Sequence, residues 1–348
     1  MVFSSSNRMD LQQIGEFGLI RRIKKKLPPL SSVPVGIGDD AAAILPSPQR
    51  YLLLTTDSLV EKVHFDLSLS SFVQIGYKAI AVNISDVAAM GGIPRYFLIS
   101  LGLNNRIKVS DLDQLYRGLE RGGREAALEL IGGNTTLSKG PFFISLTMLG
   151  EVPKKEMIRR AGAKPGDALY VTGSLGNAAA GLELLKKGVH PKSFPQLVRH
   201  YQTPPVRWRE GRLLARDGIP SAMIDLSDGL ASDLNHMVEE GRGGAELDLD
   251  AIPISPALRR YALQVGKNAV GYALNGGEDY ELLFSVPEKK VKKLERLLKK
   301  GLIRASRIGI ITRKRGLAAR GNGKREKIKP NGYDHLKPKR RGLSVRSL

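Results

Sequence analysis

Several of the most apolar runs in this chain end on carboxylates. Asp39 and Asp40 lie in GIGDDAA, Asp57 in TTDSLV, Asp86 in VNISDVAAMGG, Asp225 and Asp228 in IDLSDGL, and Glu278 with Asp279 in NGGEDYELLF. Each stands near Gly, Ser or Thr, and most are flanked by core-forming residues. A carboxylate taken out of water is costly unless it is paired or metal-bound. Too few basic residues lie in these segments to pair with all of them. The chain must therefore gather the carboxylates where something else compensates them, or leave each at a turn or helix cap. Oxygen donors that converge with hydroxyls, without cysteine or a histidine cluster, describe a hard-cation site. Mg²⁺ is the usual choice where phosphates share the coordination.

Around these residues the pattern alternates between strand and helix. Short β-rich runs cover 33–37, 41–45 and 51–56. Ile75, Ala79, Val82, Val87 and Met90 recur at helical spacing, so 72–90 reads as one long helix stopped by Gly91, Gly92 and Pro94. A strand at 97–103, a helix at 109–130 capped by Ser110 or Asp111, and a strand at 142–149 follow. A polar stretch at 151–160 reads as a linker. Beyond it, strands at 168–172, 222–225, 281–286 and 304–312 mix with helices at 177–187, 207–217, 229–241 and 288–300. From Arg313 onward there is little apolar periodicity. The class is α/β or α+β in two domains, 1–150 and 151–335, with a basic tail over 336–348.

Composition removes whole classes of chemistry. The absence of cysteine excludes disulfides, thiolate metal sites, iron–sulfur clusters and cysteine nucleophiles. No apolar run approaches the length of a membrane span, about 18 residues. The N-terminus lacks a basic region followed by an apolar core. A soluble cytoplasmic protein without a membrane partner is the expectation. The net charge of +21 is concentrated: residues 289–348 hold 22 basic and 3 acidic side chains, and the remainder 33 and 31. A nearly neutral body with a basic end is not a chain built throughout to coat nucleic acid.

Phosphate-binding signals are mixed. GIGDDA fits G-x-G-x-x-A, a weak dinucleotide fingerprint, but two carboxylates stand where a pyrophosphate needs bare N–H groups. A metal between carboxylate and phosphate would reverse that objection. No G-x-x-x-x-G-K-[ST] is present, which excludes a P-loop. Gly132-Gly133-Asn134-Thr135-Thr136 reads as a Gly-rich turn, either a phosphate cradle or a plain connection. His64 could reach the TTDS segment, and Trp208 reads as a packing residue.

Nine motifs run in order: GEFGLI at 15–20, GIGDDAA, TTDSLVEKVHF, YKAIAVNISDVAAMGG, GGNTT, RAGAKPGD, IDLSDGLASDL, GGEDYELLF and GYDH. Together they resemble the thiamine-monophosphate kinases of the aminoimidazole ribonucleotide synthetase superfamily, over nearly the whole chain. The resemblance implies an aminoimidazole ribonucleotide synthetase-like two-domain fold. Its N-terminal domain would bind ATP and several Mg²⁺ ions and pair its sheet with a second copy in a homodimer. The implied reaction moves the γ-phosphoryl group of ATP to thiamine monophosphate, giving thiamine diphosphate. The implied metal positions are Asp40, Thr55, Thr56, Asp57, Asp86, Asp225 and Asp228, with Asp57 and Asp86 central to catalysis. Gly133, Arg160 and Ser227 fall on ATP-contacting positions. His64, Glu278 and Tyr333 fall on positions that hold thiamine monophosphate.

Two positions depart from the family pattern. Asn134 stands where the family usually has an Asp that ligates metal beside the ATP phosphates, and its neutral amide oxygen is a weaker ligand. Leu336 replaces the usual Phe after GYDH. Selenophosphate synthetase and the hydrogenase-maturation member of the superfamily need a cysteine, which is absent here. Aminoimidazole ribonucleotide synthetase remains the alternative enzyme. A weakly active nucleotide-binding protein that holds nucleic acid through its basic tail is the alternative from another class. Beyond a weak hold by that tail, no nucleic-acid partner is expected.

Overall fold

The structure is a computed structural model, and it describes residues 18–21, 24, 33–36, 39–321 and 323–330. A first sheet is built from β1 (Ala42–Ile44), β2 (Arg50–Val60), β3 (Ile93–Leu103), β4 (Glu129–Leu137) and β5 (Phe143–Pro153). Their order is β1-β2-β5-β3-β4, and only β3 and β4 run parallel. Alternation sets its faces: Ile144, Leu146, Met148 and Val152 of β5 are buried, with half-buried residues between them. Two helices, α1 (Phe72–Ala89) and α2 (Val109–Gly123), pack over the buried face.

The two helices meet backbone to backbone. A Cβ on Gly76 would lie 2.1 Å from the Leu115 carbonyl oxygen, and one on Gly118 2.1 Å from that of Val73. No larger side chain fits at either crossing point. A capping box starts α1: the Ser71 N–H donates to Gln74 Oε1 at 2.8 Å, and the Gln74 N–H to Ser71 Oγ at 3.4 Å. Gly91, with φ of +71°, ends it where the sequence indicates.

The second sheet holds β6 (Ala168–Thr172), β7 (Ala222–Asp225), β8 (Gly244–Asp248), β9 (Leu282–Val286), β10 (Ala305–Thr312), β11 (Gly316–Gly321) and β12 (Lys324–Ile328), in the order β12-β11-β8-β10-β6-β9-β7. Around it lie α3 (Asn177–Lys186), α4 (Pro195–Gln202), α5 (Trp208–Arg216), α6 (Leu230–Glu240), α7 (Pro256–Gln264), α8 (Ala269–Asn275) and α9 (Glu288–Lys299). Helices α3, α4, α6, α7 and α8 share one core with the sheet, and α5 and α9 share another. Covered on both faces, β6, β7 and β9 are buried at every residue.

Helix α1 belongs to both halves. Ile80, Ile84 and Val87 pack in the first core, while Ala88 and Ala89 join Leu214 and Ala215 in a core of the second sheet. Among the described residues, no helix is long and apolar enough to cross a membrane.

Several elements differ from the sequence pattern. β2 runs on through TTDSLV to Val60. The helix expected to reach 130 stops at Gly123, where a short turn and the left-handed Ala127 reverse the chain. The GGNTT segment is therefore not a turn; it is extended and forms most of β4. β5 continues into the expected linker because Glu151 is tied to Arg50 and Arg95 on neighbouring strands. The segment after Arg313 forms the β11–β12 hairpin, in which Leu317 and Ala319 point inward. Two inward residues are too few to register as a period.

Candidate active site

The carboxylates meet at the C-terminal half of α1. Asp86 lies on that helix, Asp225 ends β7, and Asp40 precedes β1. One oxygen of each lies within 4.8 Å of the others. The Ser85 hydroxyl donates to Asp225 Oδ2 at 2.7 Å, so neighbouring residues of α1 reach into both halves. The Thr55 hydroxyl donates to Asp86. Asp57 is two residues further along β2, on the same face, and its charge acts on Asp86.

Among the described residues, the buried carboxylates act on one another. Burial, then the charges of Asp57, Asp225 and Asp40, push the Asp86 carboxyl far above the usual range. Burial and the charge of Asp40 do the same to Asp225. Asp39 is raised to about 6 by burial and by Asp40. Among the described residues, two arginines answer them. Arg160 donates to both oxygens of Asp40, from Nε at 3.0 Å and Nη2 at 2.7 Å, and Arg159 lies 3.6 Å from Asp39. Among the described residues, Arg159 and Arg160 face Asp39, Asp40, Asp86 and Asp225, and neighbouring carboxylates still raise Asp86 and Asp225. Oxygen donors without thiolate or imidazole in this group suit a hard divalent cation, so the donor set fits Mg²⁺.

A second layer holds these groups in place. Asp233 Oδ2 accepts the N–H groups of Asp228 and Gly229, each at 3.1 Å, which fixes the IDLSDGL turn at the start of α6. The Ser227 and Leu226 carbonyls accept the N–H groups of Glu278 and Tyr280, both at 2.8 Å, binding that turn to NGGEDYEL. Glu278 and Tyr280 adopt φ of +68° and +48°, strain that the two turns hold between them. Burial, then the charges of Glu278, Asp57, Asp225 and Asp228, raise the Tyr280 phenol, so this ring borders the same acidic field.

At the other end of α1, Lys78 joins His64 to Glu278. Its ammonium donates to Glu278 Oε1 at 2.5 Å and to the His64 carbonyl at 3.2 Å. The Val60 N–H donates to His64 Nδ1 at 3.0 Å, which leaves the proton of the neutral ring on Nε2.

Other expected residues stand apart. The Thr56 hydroxyl donates to the Leu146 carbonyl at 2.8 Å, on the sheet face opposite Thr55 and Asp57, so only its backbone is available to the cluster. Pairing sets Asp57, Leu146, Ile99 and Gly133 in one row across the sheet. Asn134 falls in the next row with Ser100 and Ser145, and therefore on the opposite face from Asp57. Tyr333 lies outside the described residues.

The sequence reading missed Lys78, Ser85 and Asp233. The first two had a signal: a Lys and a Ser inside a helix buried along most of its length need partners.

AIR synthase related protein, N-terminal domain, matches residues 38–152, and the corresponding C-terminal domain matches residues 164–322. The thiamine-monophosphate kinase of Aquifex aeolicus is 37% identical, over 94% of this chain and 100% of that protein. The chain belongs to the thiamine-monophosphate kinase family. The family's Escherichia coli K12 member is 37% identical over 92% of this chain and 98% of its own length. Among solved structures, AaThiL complexed with AMPPCP and TMP matches with a TM-score of 0.83 at 36% identity, covering 95% of this chain and 100% of that one. The two-domain α/β fold expected from the motifs is the fold of this family.

Proposed function

We propose that this chain transfers the γ-phosphoryl group of ATP to thiamine monophosphate, giving thiamine diphosphate and ADP. The observation that carries this is the meeting of Asp40, Asp86 and Asp225 between the two sheets, in a chain whose relative AaThiL was solved with AMPPCP and TMP. Asp40, Asp57, Asp86 and Asp225, with Thr55, Asp228 and the Thr56 carbonyl, would hold Mg²⁺, which when bound screens phosphate charge and polarises the transferred group.

The chain's own residues then have separable tasks. The acceptor is a phosphate oxygen that is already ionised near neutral pH, so no strong general base is needed. Arg160 is held by Asp40 through Nε and Nη2 and keeps Nη1 for the ATP phosphates. Ser227 offers its hydroxyl from a turn fixed by Asp233, and Gly133 offers backbone from β4. His64 and Glu278 receive thiamine monophosphate, with Tyr333 stacking on its ring system. Holding donor and acceptor in line is the main catalytic task left to the protein.

A homodimer fits the bare side of the first sheet. Every residue of β4 is exposed, as are Tyr96 and Leu98 on the neighbouring strand. Among the described residues nothing pairs with the outer edge of β4, and such an edge beside apolar side chains favours pairing with a second copy. A cytoplasmic location and a weak hold on polyanions by the basic tail complete the reading.

The test is incubation of the purified chain with ATP, Mg²⁺ and thiamine monophosphate. Thiamine diphosphate is expected, and chelation of Mg²⁺ should stop its formation. ATP hydrolysis without thiamine diphosphate, or no turnover, would overturn the assignment.

A further inference from the structure

Lys78 is the charged side chain buried at the acceptor end of α1, with 3% of its surface exposed. Three separate elements converge on its ammonium. Glu278 comes from the loop before β9, the His64 carbonyl from the segment after β2, and the Tyr201 ring from α4, with its centroid 4.5 Å from Nζ. The surroundings of Tyr201 are themselves tied down. Gln202 Nε2 donates to the Leu69 carbonyl at 2.6 Å, and Gln74 Nε2 donates to Gln202 Oε1 at 2.7 Å.

The partner of this buried cation is unusual for a structural ion pair. Glu278 keeps a quarter of its side chain open, and its backbone sits in the left-handed region at φ +68°. Lys78 takes Oε1, and among the described residues Oε2 accepts no hydrogen bond. A buried ion pair adds little stability over an apolar pair of the same shape. What this one does is aim a strained carboxylate: one oxygen is anchored below, and the other faces out for a ligand.

We propose that Lys78 is a positioning residue for the acceptor substrate. It holds Glu278 and the His64 segment in the arrangement that receives thiamine monophosphate, and so sets affinity for that substrate and not for ATP. This rests on the assignment of His64 and Glu278 to thiamine monophosphate. The carboxylate group around Asp86 is two turns further along the helix and does not touch Lys78.

The experiment measures KM for both substrates, together with melting temperature, in wild type, Lys78→Met, Lys78→Arg, Glu278→Gln and the double variant Lys78→Met/Glu278→Gln. In Lys78→Met, KM for thiamine monophosphate should rise by about tenfold or more while KM for ATP stays within about twofold. Lys78→Arg, which keeps the charge, should show an intermediate rise. The double variant should be no worse than the poorer single variant, because both act through one carboxylate. Unchanged KM values, equal rises for both substrates, or additive losses would overturn the proposal. Should Lys78→Met fail to fold, Lys78→Arg decides alone: a rise confined to thiamine monophosphate supports the proposal and no rise overturns it. Wild-type protein that neither binds nor phosphorylates thiamine monophosphate would remove the assigned function itself, and this inference with it.

Discussion

Two groups of buried charge lie along α1, about 12 Å apart at ~1.5 Å of rise per residue, and they are settled in opposite ways. Lys78 has its carboxylate in Glu278. At the start of α5, which packs on α1, Arg207 likewise donates to both oxygens of the fully buried Glu281, each at 2.7 Å. Thr172 adds a hydroxyl to Glu281 at 2.6 Å. Around Asp86, by contrast, the described carboxylates Asp39, Asp40, Asp86 and Asp225 outnumber the described arginines, Arg159 and Arg160. Burial alone therefore does not mark the candidate site. The mark is burial in which the charges do not cancel, because a bound cation or a proton must then relieve the repulsion.

The comparison can be broken at either group. The largest effect is expected from Asp86→Asn, which should lower kcat by about a thousandfold or more. The same change removes a charge that is repelled when ionised, so the melting temperature in Mg²⁺-free buffer should rise, most at high pH. A fall in both would make the group a structural one. Arg207→Met does the reverse. It strands Glu281 without a partner and should cost about 3 kcal/mol in denaturant unfolding, while the KM values of the folded protein hold. A loss below about 1 kcal/mol would mean that Glu281 is settled without its arginine.

Acidity sharpens the contrast further. Asp86 and Asp225 are held well above the usual carboxylate range, and Asp39 at about 6. Groups raised in the folded state stabilise it below their unfolded pKa, and that contribution is lost as pH rises through the folded value. The melting temperature without Mg²⁺ should therefore begin to fall above about pH 4, fall through about pH 6 as Asp39 titrates and keep falling above it as Asp86 and Asp225 ionise, and saturating Mg²⁺ should flatten the slope. Mg²⁺ binding should also release protons, seen as a buffer-dependent heat in calorimetry. A pH-independent melting temperature without Mg²⁺ would contradict the charge imbalance.

Smaller effects bound the site. Asn134 faces away from Asp57, so Asn134→Asp should change Mg²⁺ affinity by less than about twofold, since the new charge acts through solvent. A large gain would bring Asn134 back among the ligands. Far from the site, burial raises the Glu183 carboxyl, but hydrogen bonds from Lys187, Lys267 and Tyr272 outweigh it and hold it at about 2. Its stabilisation is present above the unfolded pKa of about 4.3 and is lost as pH falls toward the folded value. Glu183→Gln should cost about 1 kcal/mol at neutral pH and nothing at the acid end.

The meeting of the carboxylates was legible because it rests on side chains that have no reason to stand in apolar runs. Asp40, Asp86 and Asp225 announce themselves in that way, and α1 and its Gly-Pro stop follow from periodicity. What stayed hidden depends on pairing. The face of Asn134 is set by register with Ser100, and GGNTT becomes a strand because β3 lies beside it. A residue count along the chain carries neither fact. Lys78 shows in the sequence only as a lysine that needs a partner; which partner lies in Glu278, 200 residues away in sequence.

Because α1 is built into the cores of both sheets, the two halves cannot melt separately without exposing it. Loss of the second sheet would uncover Ala88 and Ala89, and loss of the first would leave the helix that carries Asp86 without support. Cooperativity between the two sheets thus passes through eighteen residues, and the buried carboxylates are assembled only in the fully folded molecule. A half-folded chain has no means of gathering the carboxylates, and so no means of wasting ATP.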